Sequence, residues 1–248
     1  MGLVDGDAIL LAGGTGRVGG ATLATLVREG ARVVVISRSR ERAAAAIAEH
    51  APNAGDRTIP FAADISDPQQ AEAAVRVCVE RFGRIDALVS LAGQEPRLGP
   101  LVNSTLDDLH ANLIAYVDTA YNLSMAALRA MLAQPFRDGA TSRGRIVTIT
   151  AGSSRDPAPR RGLFGTAKAA VNTLMRAIAK EHKADGIVAN AVVLGGVQVE
   201  ASRARRGPEA FAAAATPQEV ADTVAFLASA RGSGINGELV DLNARETD

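Results

Sequence analysis

The feature that most constrains this chain is a glycine cluster in a particular setting. Gly13-Gly14-Thr15-Gly16-Arg17-Val18-Gly19-Gly20 follows the apolar run Ile9-Leu10-Leu11-Ala12 and leads straight into an Ala- and Leu-rich helical stretch. Glycines allow a tight turn, and they let a phosphate approach the backbone N–H groups that a helix N-terminus leaves unpaired. A strand that ends in such a turn and feeds a helix is the opening unit of a βαβ fold with a dinucleotide-binding loop. A Gly-rich turn without any ligand is the plainer alternative.

The rest of the chain repeats that unit without its glycines. Short β-branched runs at 8–12, 32–36, 58–62, 87–90, 145–150, 188–193 and 238–242 read as strands. Between them, 19–28, 41–50, 68–81, 106–133, 164–182 and 217–228 read as helices. Strands separated by helical crossovers lie parallel, and continuous apolar strands imply that helices cover both faces. The expected fold is therefore an α/β, Rossmann-type, doubly wound, seven-stranded parallel sheet. Ser104 with Asp107 and Asp108, Asp67-Pro68, and Thr216-Pro217 with Glu219 read as helix starts. No linker composition interrupts the 248 residues, so residues 1–248 read as one domain. The Ala tracts 43–46 and 212–215 read as helix filler.

Composition excludes several classes of function. Lys and Arg total 27 and so do Asp and Glu, so no net charge draws the chain to nucleic acid or an anionic membrane. No apolar run reaches the length of a transmembrane helix. The first seven residues hold Asp5 and Asp7 and no basic residue, unlike a secretory signal. The single cysteine, Cys78, cannot form an internal disulfide and reads as a small core residue. A cytoplasmic, metal-free protein acting on a small molecule is expected.

Cofactor preference is read at the end of the second strand. An acid there would bind the two hydroxyls of an adenosine ribose and repel a 2′-phosphate, whereas an arginine attracts that phosphate. The sequence runs Ile36-Ser37-Arg38-Ser39-Arg40 with no acid, and Arg17 and Arg40 add positive charge. The reading is NADP(H) rather than NAD, against the alternative of three solvated arginines.

In order along nearly the whole chain, these segments resemble the short-chain dehydrogenase/reductase family. Gly13, Gly16 and Gly19 keep the glycine spacing of that family's extended and atypical branches, with Thr15, Arg17 and Val18 between them. Asp64-Ile65 is similar to the adenine-contacting pair, and Ser90-Leu91-Ala92-Gly93 stands where the family has Asn-Asn-Ala-Gly. Asn112 and Lys168 resemble the Asn and Lys of the catalytic tetrad. Asn190-Ala191-Val192 with Leu194-Gly195 resembles the strand and Pro-Gly turn beside the nicotinamide. Phe226-Leu227-Ala228-Ser229 and Ile235-Asn236-Gly237 are similar to the C-terminal pattern. The resemblance implies a homodimer or homotetramer formed through helices 106–133 and 164–182.

The departures concentrate at one end of the implied site. The family's Tyr lies four residues before its Lys, one helical turn away, and here that residue is Phe164. Its Ser lies thirteen residues earlier still, and here that residue is Ala151. Leu194 stands for the Pro and Val199 for the carboxamide-binding Thr. Without an acid/base a step of this kind slows typically 10²–10⁴-fold, and without an oxyanion donor about 10²–10³-fold. Standard carbonyl reduction is therefore expected to be weak or absent. Thr150, Ser153, Tyr116, His110 or Lys168 are candidate substitutes, although Tyr116 also reads as a packing residue and His110 as solvent-facing. Arg155, Arg160 and Arg161, and Arg203, Arg205 and Arg206, read as either an acidic-substrate entrance or solvated surface, and Gln94 and Glu95 as possible neighbours of the cleft. Three functions stay open at this stage: a redox-silent member performing a non-redox step, an atypical reductase using Lys168, Thr150 or water, and a non-catalytic partner subunit.

Overall fold

The structure, a computed structural model, describes residues 2–94, 96, 98–203 and 207–242. Strands β1 (Ala8–Ala12), β2 (Arg32–Ser37), β3 (Thr58–Ala62), β4 (Ala87–Ser90), β5 (Gly144–Ala151), β6 (Ile187–Leu194) and β7 (Leu239–Leu242) form one sheet in the order β3-β2-β1-β4-β5-β6-β7. Every pairing is parallel, as the crossover pattern requires. Helices α1 (Arg17–Arg28), α2 (Arg40–His50), α3 (Pro68–Phe82), α4 (Leu106–Asn112), α5 (Thr119–Ala133), α6 (Gly162–Glu181), α7 (Glu200–Arg203), α8 (Pro208–Ala213) and α9 (Pro217–Ala228) make the connections.

Side-chain alternation along β1 divides the core into two layers. Leu10 and Ala12 face the helices α3, α5 and α6, packing with Val34, Leu88, Ile146, Leu123, Met131 and Met175. Ile9 and Leu11 face the opposite side, with Val33, Val35 and Val147 under Leu23 and Leu26 of α1 and Val220 and Val224 of α9. Cys78 belongs to the first layer, and burial pushes its thiol up to about 12, so it packs as an inert core residue.

A buried ion network ties the N-terminal ends of the strands. Asp86 accepts from the backbone N–H of Ala8 (2.9 Å), from Arg84 Nε (2.6 Å) and from Arg137 (2.6 Å). Asp7 pairs with Arg145 (2.9 Å) and Arg137 (3.1 Å). This network lies at the opposite end of the sheet from the candidate site.

Two local expectations are corrected. The helix read over 106–133 is not a uniform α-helix, because a π turn over Leu113–Asp118 separates α4 from α5. A π turn inserts one residue and re-aims the side chains around it, a change that hydrophobic periodicity does not reveal. The cap of α4 is Thr105 rather than Ser104: Thr105 accepts from the N–H of Asp108, and Asp108 accepts in return from Thr105 N (3.0 Å). The caps at Asp67 and Thr216 form as read.

Candidate functional site

Strand order reverses direction between β1 and β4, and a parallel sheet opens a crevice at such a point beyond its C-terminal strand ends. A cavity of about 370 Å³ lies there. The glycines shape it. Gly13 has φ +84°, and a Cβ on it would stand 2.7 Å from the Leu91 backbone, so only glycine fits between β1 and β4. A Cβ on Gly19 would stand 2.0 Å from Gly13 O, which is how closely α1 packs on the loop. Gly16 begins α1 with no side-chain cap and no acid in the first turn. The N–H groups of Arg17, Val18 and Gly19 are therefore left for an anion, with the helix dipole behind them.

Of the sequence-predicted cofactor residues, Gly13, Thr15, Gly16, Ser37, Arg38, Asp64, Ile65, Ala92 and Gly93 line the cavity. Arg17, Val18 and Gly19 do not line it; they form the first turn of α1 beside it. Arg38 is exposed at the cavity edge, but its companion is Arg42, not Arg40. Arg40 instead lies by a separate surface depression with Ile59, Phe61 and Arg81. The cause is local: Ser39 caps α2 and accepts from Arg42 N (3.2 Å), which fixes Arg42 in the first turn facing the end of β2. Reading that cap in the sequence would have identified Arg42.

Asp64 is held by Ser66, whose N–H (3.0 Å) and hydroxyl (2.7 Å) donate to its Oδ1 and keep its carboxyl below the usual range, with Arg38 adding to the effect. Asn122 donates to the carbonyls of Ile65 (3.3 Å) and Ser66 (2.8 Å), anchoring this loop to α5. Gln94 lines the cavity as read, and Ser66, Ile114 and Thr119 also line it but carry no motif that distinguishes them in the sequence.

The groups read as catalytic lie farther along the sheet, and all but His110 are buried. Lys168 Nζ donates to Ile149 O at 2.9 Å and stands 4.8 Å from the centre of the Tyr116 ring. Burial lowers its pKa from 10.5 to about 8. Phe164, one turn earlier on α6, meets Tyr116 edge to face with ring centres 5.1 Å apart, and Ala151 and Ala167 complete the cluster. The Tyr116 hydroxyl donates to Gln94 O at 2.7 Å, and burial pushes the phenol up to about 12. Asn112 donates to Asp108 O (2.8 Å). Thr150 Oγ1 and Ser153 Oγ have no partner, but Thr150 is only 2% exposed, and neither lines the cavity. His110 is exposed.

The turn after β6 closes on itself. Val199 N donates to Val197 O (2.8 Å), and the Ser202 hydroxyl lies 2.5 Å from that same carbonyl and 2.8 Å from Val199 O. Leu194 packs into the α1–α9 layer. Arg155 pairs with Asp241, and Arg203 lies over the Phe211 ring. Arg160 holds a positive φ of 65° and its carbonyl accepts from Gly99 N, while Arg161 is the N-cap residue that precedes α6. Glu95, Arg205 and Arg206 lie outside the described residues.

Comparison with known proteins agrees with this architecture. Residues 7–210 match the family model described as short chain dehydrogenase. The chain is 27% identical to an NADPH-dependent aldehyde reductase-like protein, chloroplastic, of Arabidopsis thaliana, over 96% of this chain and 93% of the relative. It is 29% identical to the short-chain reductase protein NovJ of Streptomyces niveus, over 97% and 94%. Among solved structures, a short chain dehydrogenase from Burkholderia cenocepacia in complex with NADP superposes with a TM-score of 0.82 at 30% identity, covering 97% of this chain and 98% of that one.

Proposed function

This chain belongs to the short-chain dehydrogenase family, and on that premise we propose that it binds NADP(H) at the cavity but does not carry out the family's carbonyl reduction. Its role is then a non-redox step on a small molecule, with the cleft acting by shape and positioning. Bound NADPH would supply a hydride from its nicotinamide. Reduction of a carbonyl also needs a proton for the new alkoxide, and the positions of the family's proton-donating Tyr and its Ser hold Phe164 and Ala151.

The observation that carries the reading is the Phe164–Tyr116–Ala151 cluster. By its spacing from Lys168, Phe164 stands where the family's phenol would donate a proton, and Ala151 where its serine would hold the substrate oxygen. The one phenol in the cluster, Tyr116, commits its hydroxyl to Gln94 O, and burial makes it a weaker acid. The adenosine end suits the cofactor: the open N–H groups of α1 fit a pyrophosphate, and Arg38 with Arg42 fit a 2′-phosphate. The exposed Leu106, Ile114 and Tyr121 support a homodimer or homotetramer formed through 106–133 and 164–182. Light scattering on the purified chain tests that assembly, and a monomer would reject it.

The test of function combines binding with turnover. NADPH should raise the melting temperature by mass action while NADH does not. A panel of aldehydes and ketones should produce no substrate-dependent loss of the reduced-nicotinamide absorbance. Turnover that disappears in Lys168→Ala would replace this reading with an atypical reductase.

A further inference from the structure

We infer that this protein recognises its ligand through the adenosine bisphosphate half alone, so that adenosine 2′,5′-bisphosphate, NADP⁺ and NADPH are equivalent ligands. The inference rests on the proposed cofactor reading and departs from it at the nicotinamide. Among the described residues, every one that lines the cavity falls between Ala12 and Thr119, and none belongs to β5, α6, β6 or the turn after β6. A ligand with its pyrophosphate on α1 and its 2′-phosphate at Arg38 and Arg42 would have to run past β4 toward those elements to seat a nicotinamide. There it meets the Tyr116 ring, which is 4% exposed and closed over Lys168 and Phe164.

Several polar groups on that side are also occupied. Val197 O and Val199 N bond each other and the Ser202 hydroxyl, the Lys168 ammonium is held by Ile149 O, and the Tyr116 hydroxyl by Gln94 O. Thr150 Oγ1, Ser153 Oγ and Asn172 Oδ1 lack partners, yet they are buried on β5, α6 and the turn between them, and none faces the cavity. A nicotinamide carboxamide bonding to the occupied groups would exchange one set of bonds for another, and such an exchange contributes little affinity. On the adenosine side the groups are open: two exposed arginines, and helix N–H groups with no cap.

Calorimetric titration of the full chain tests this. Adenosine 2′,5′-bisphosphate, NADP⁺ and NADPH should bind with Kd values within about threefold of one another, since a factor of ten already means a distinct interaction worth about 1.4 kcal/mol. Bound NADPH should keep the fluorescence emission of free NADPH, because its nicotinamide stays in water. Arg38→Ala with Arg42→Ala, both at exposed positions, should weaken all three ligands by the same factor, about tenfold or more for lost charge-assisted phosphate bonds. NADPH binding about tenfold tighter than the bisphosphate, with blue-shifted emission, would overturn the inference and leave the NADP(H) site standing. Failure of all three ligands to bind would overturn the cofactor reading itself, and this inference with it.

Discussion

Lys168 gives the sharpest physical prediction, because its cost to the fold depends on pH in a known direction. Its ammonium has one acceptor, Ile149 O at 2.9 Å, and burial lowers its pKa from 10.5 to about 8. Below pH 8 the lysine is charged in both folded and unfolded chains, and the folded state carries the full desolvation penalty. Between 8 and 10.5 the unfolded chain holds a proton that the folded chain has released, so stability rises with pH. Each unit is worth about 1.4 kcal/mol, so the rise from pH 8 to 9.5 is about 2 kcal/mol. Tyr116 does not obscure this window, since burial pushes its phenol up to about 12. Lys168→Met keeps the length of the side chain and removes the charge. Subtracting its stability from that of the wild type isolates the lysine from other titrating groups. Met leaves Ile149 O without this partner, at a cost of about 1–3 kcal/mol. The variant should therefore match or exceed the wild type at pH 7 and fall below it at pH 9.5. Urea unfolding at steps from pH 7 to 9.5 reads the difference directly. A difference that stays flat within about 0.5 kcal/mol would refute the claim that Lys168 is held desolvated.

Three further outcomes follow from the same geometry. Gly13→Ala forces a positive φ on a residue whose Cβ overlaps the Leu91 backbone; it should destabilise by about 2–4 kcal/mol in urea unfolding and abolish nucleotide binding. Phe164→Tyr with Ala151→Ser returns the missing hydroxyls but leaves the Tyr116 ring in place, so it should stay inactive. Adding Tyr116→Ala should raise carbonyl-dependent NADPH oxidation by about 10²-fold or more, and rescue by the double variant alone would show that Tyr116 does not seal this end. Asp86→Asn removes the charge that Arg84 and Arg137 share and should cost about 3 kcal/mol, read as a fall in the urea midpoint with nucleotide affinity unchanged.

How much of the site could be read in advance depended on how local its determinants are. The glycine loop was legible because each glycine answers a short-range demand: Gly13 a positive φ, Gly19 a close approach to Gly13 O. Arg38 was legible as the residue after β2, whereas Arg42 was not, because its place at the cavity depends on its angle around α2, which the Ser39 cap sets. Phe164, Ala151 and Lys168 could be placed by spacing, and their burial could not. Tyr116 was readable either as a packing residue or as a site residue, and the structure shows it packed on Lys168 and Phe164 with its hydroxyl on the loop after β4.

From its sequence alone, then, this chain determines its parallel sheet, its two apolar layers and its glycine loop, because strand–helix alternation and glycine chemistry act over a few residues. What only the tertiary structure decided is which side chains converge beyond the strand ends. The π turn over Leu113–Asp118 brings Tyr116 onto Phe164 of α6, Asn122 clamps the loop after β3, and Ser202 closes the turn after β6. The first two join residues far apart in the chain or change a helix by a single residue, and the third closes a turn through a side chain five residues away. Neither effect leaves a mark in periodicity, because both depend on where packed elements meet.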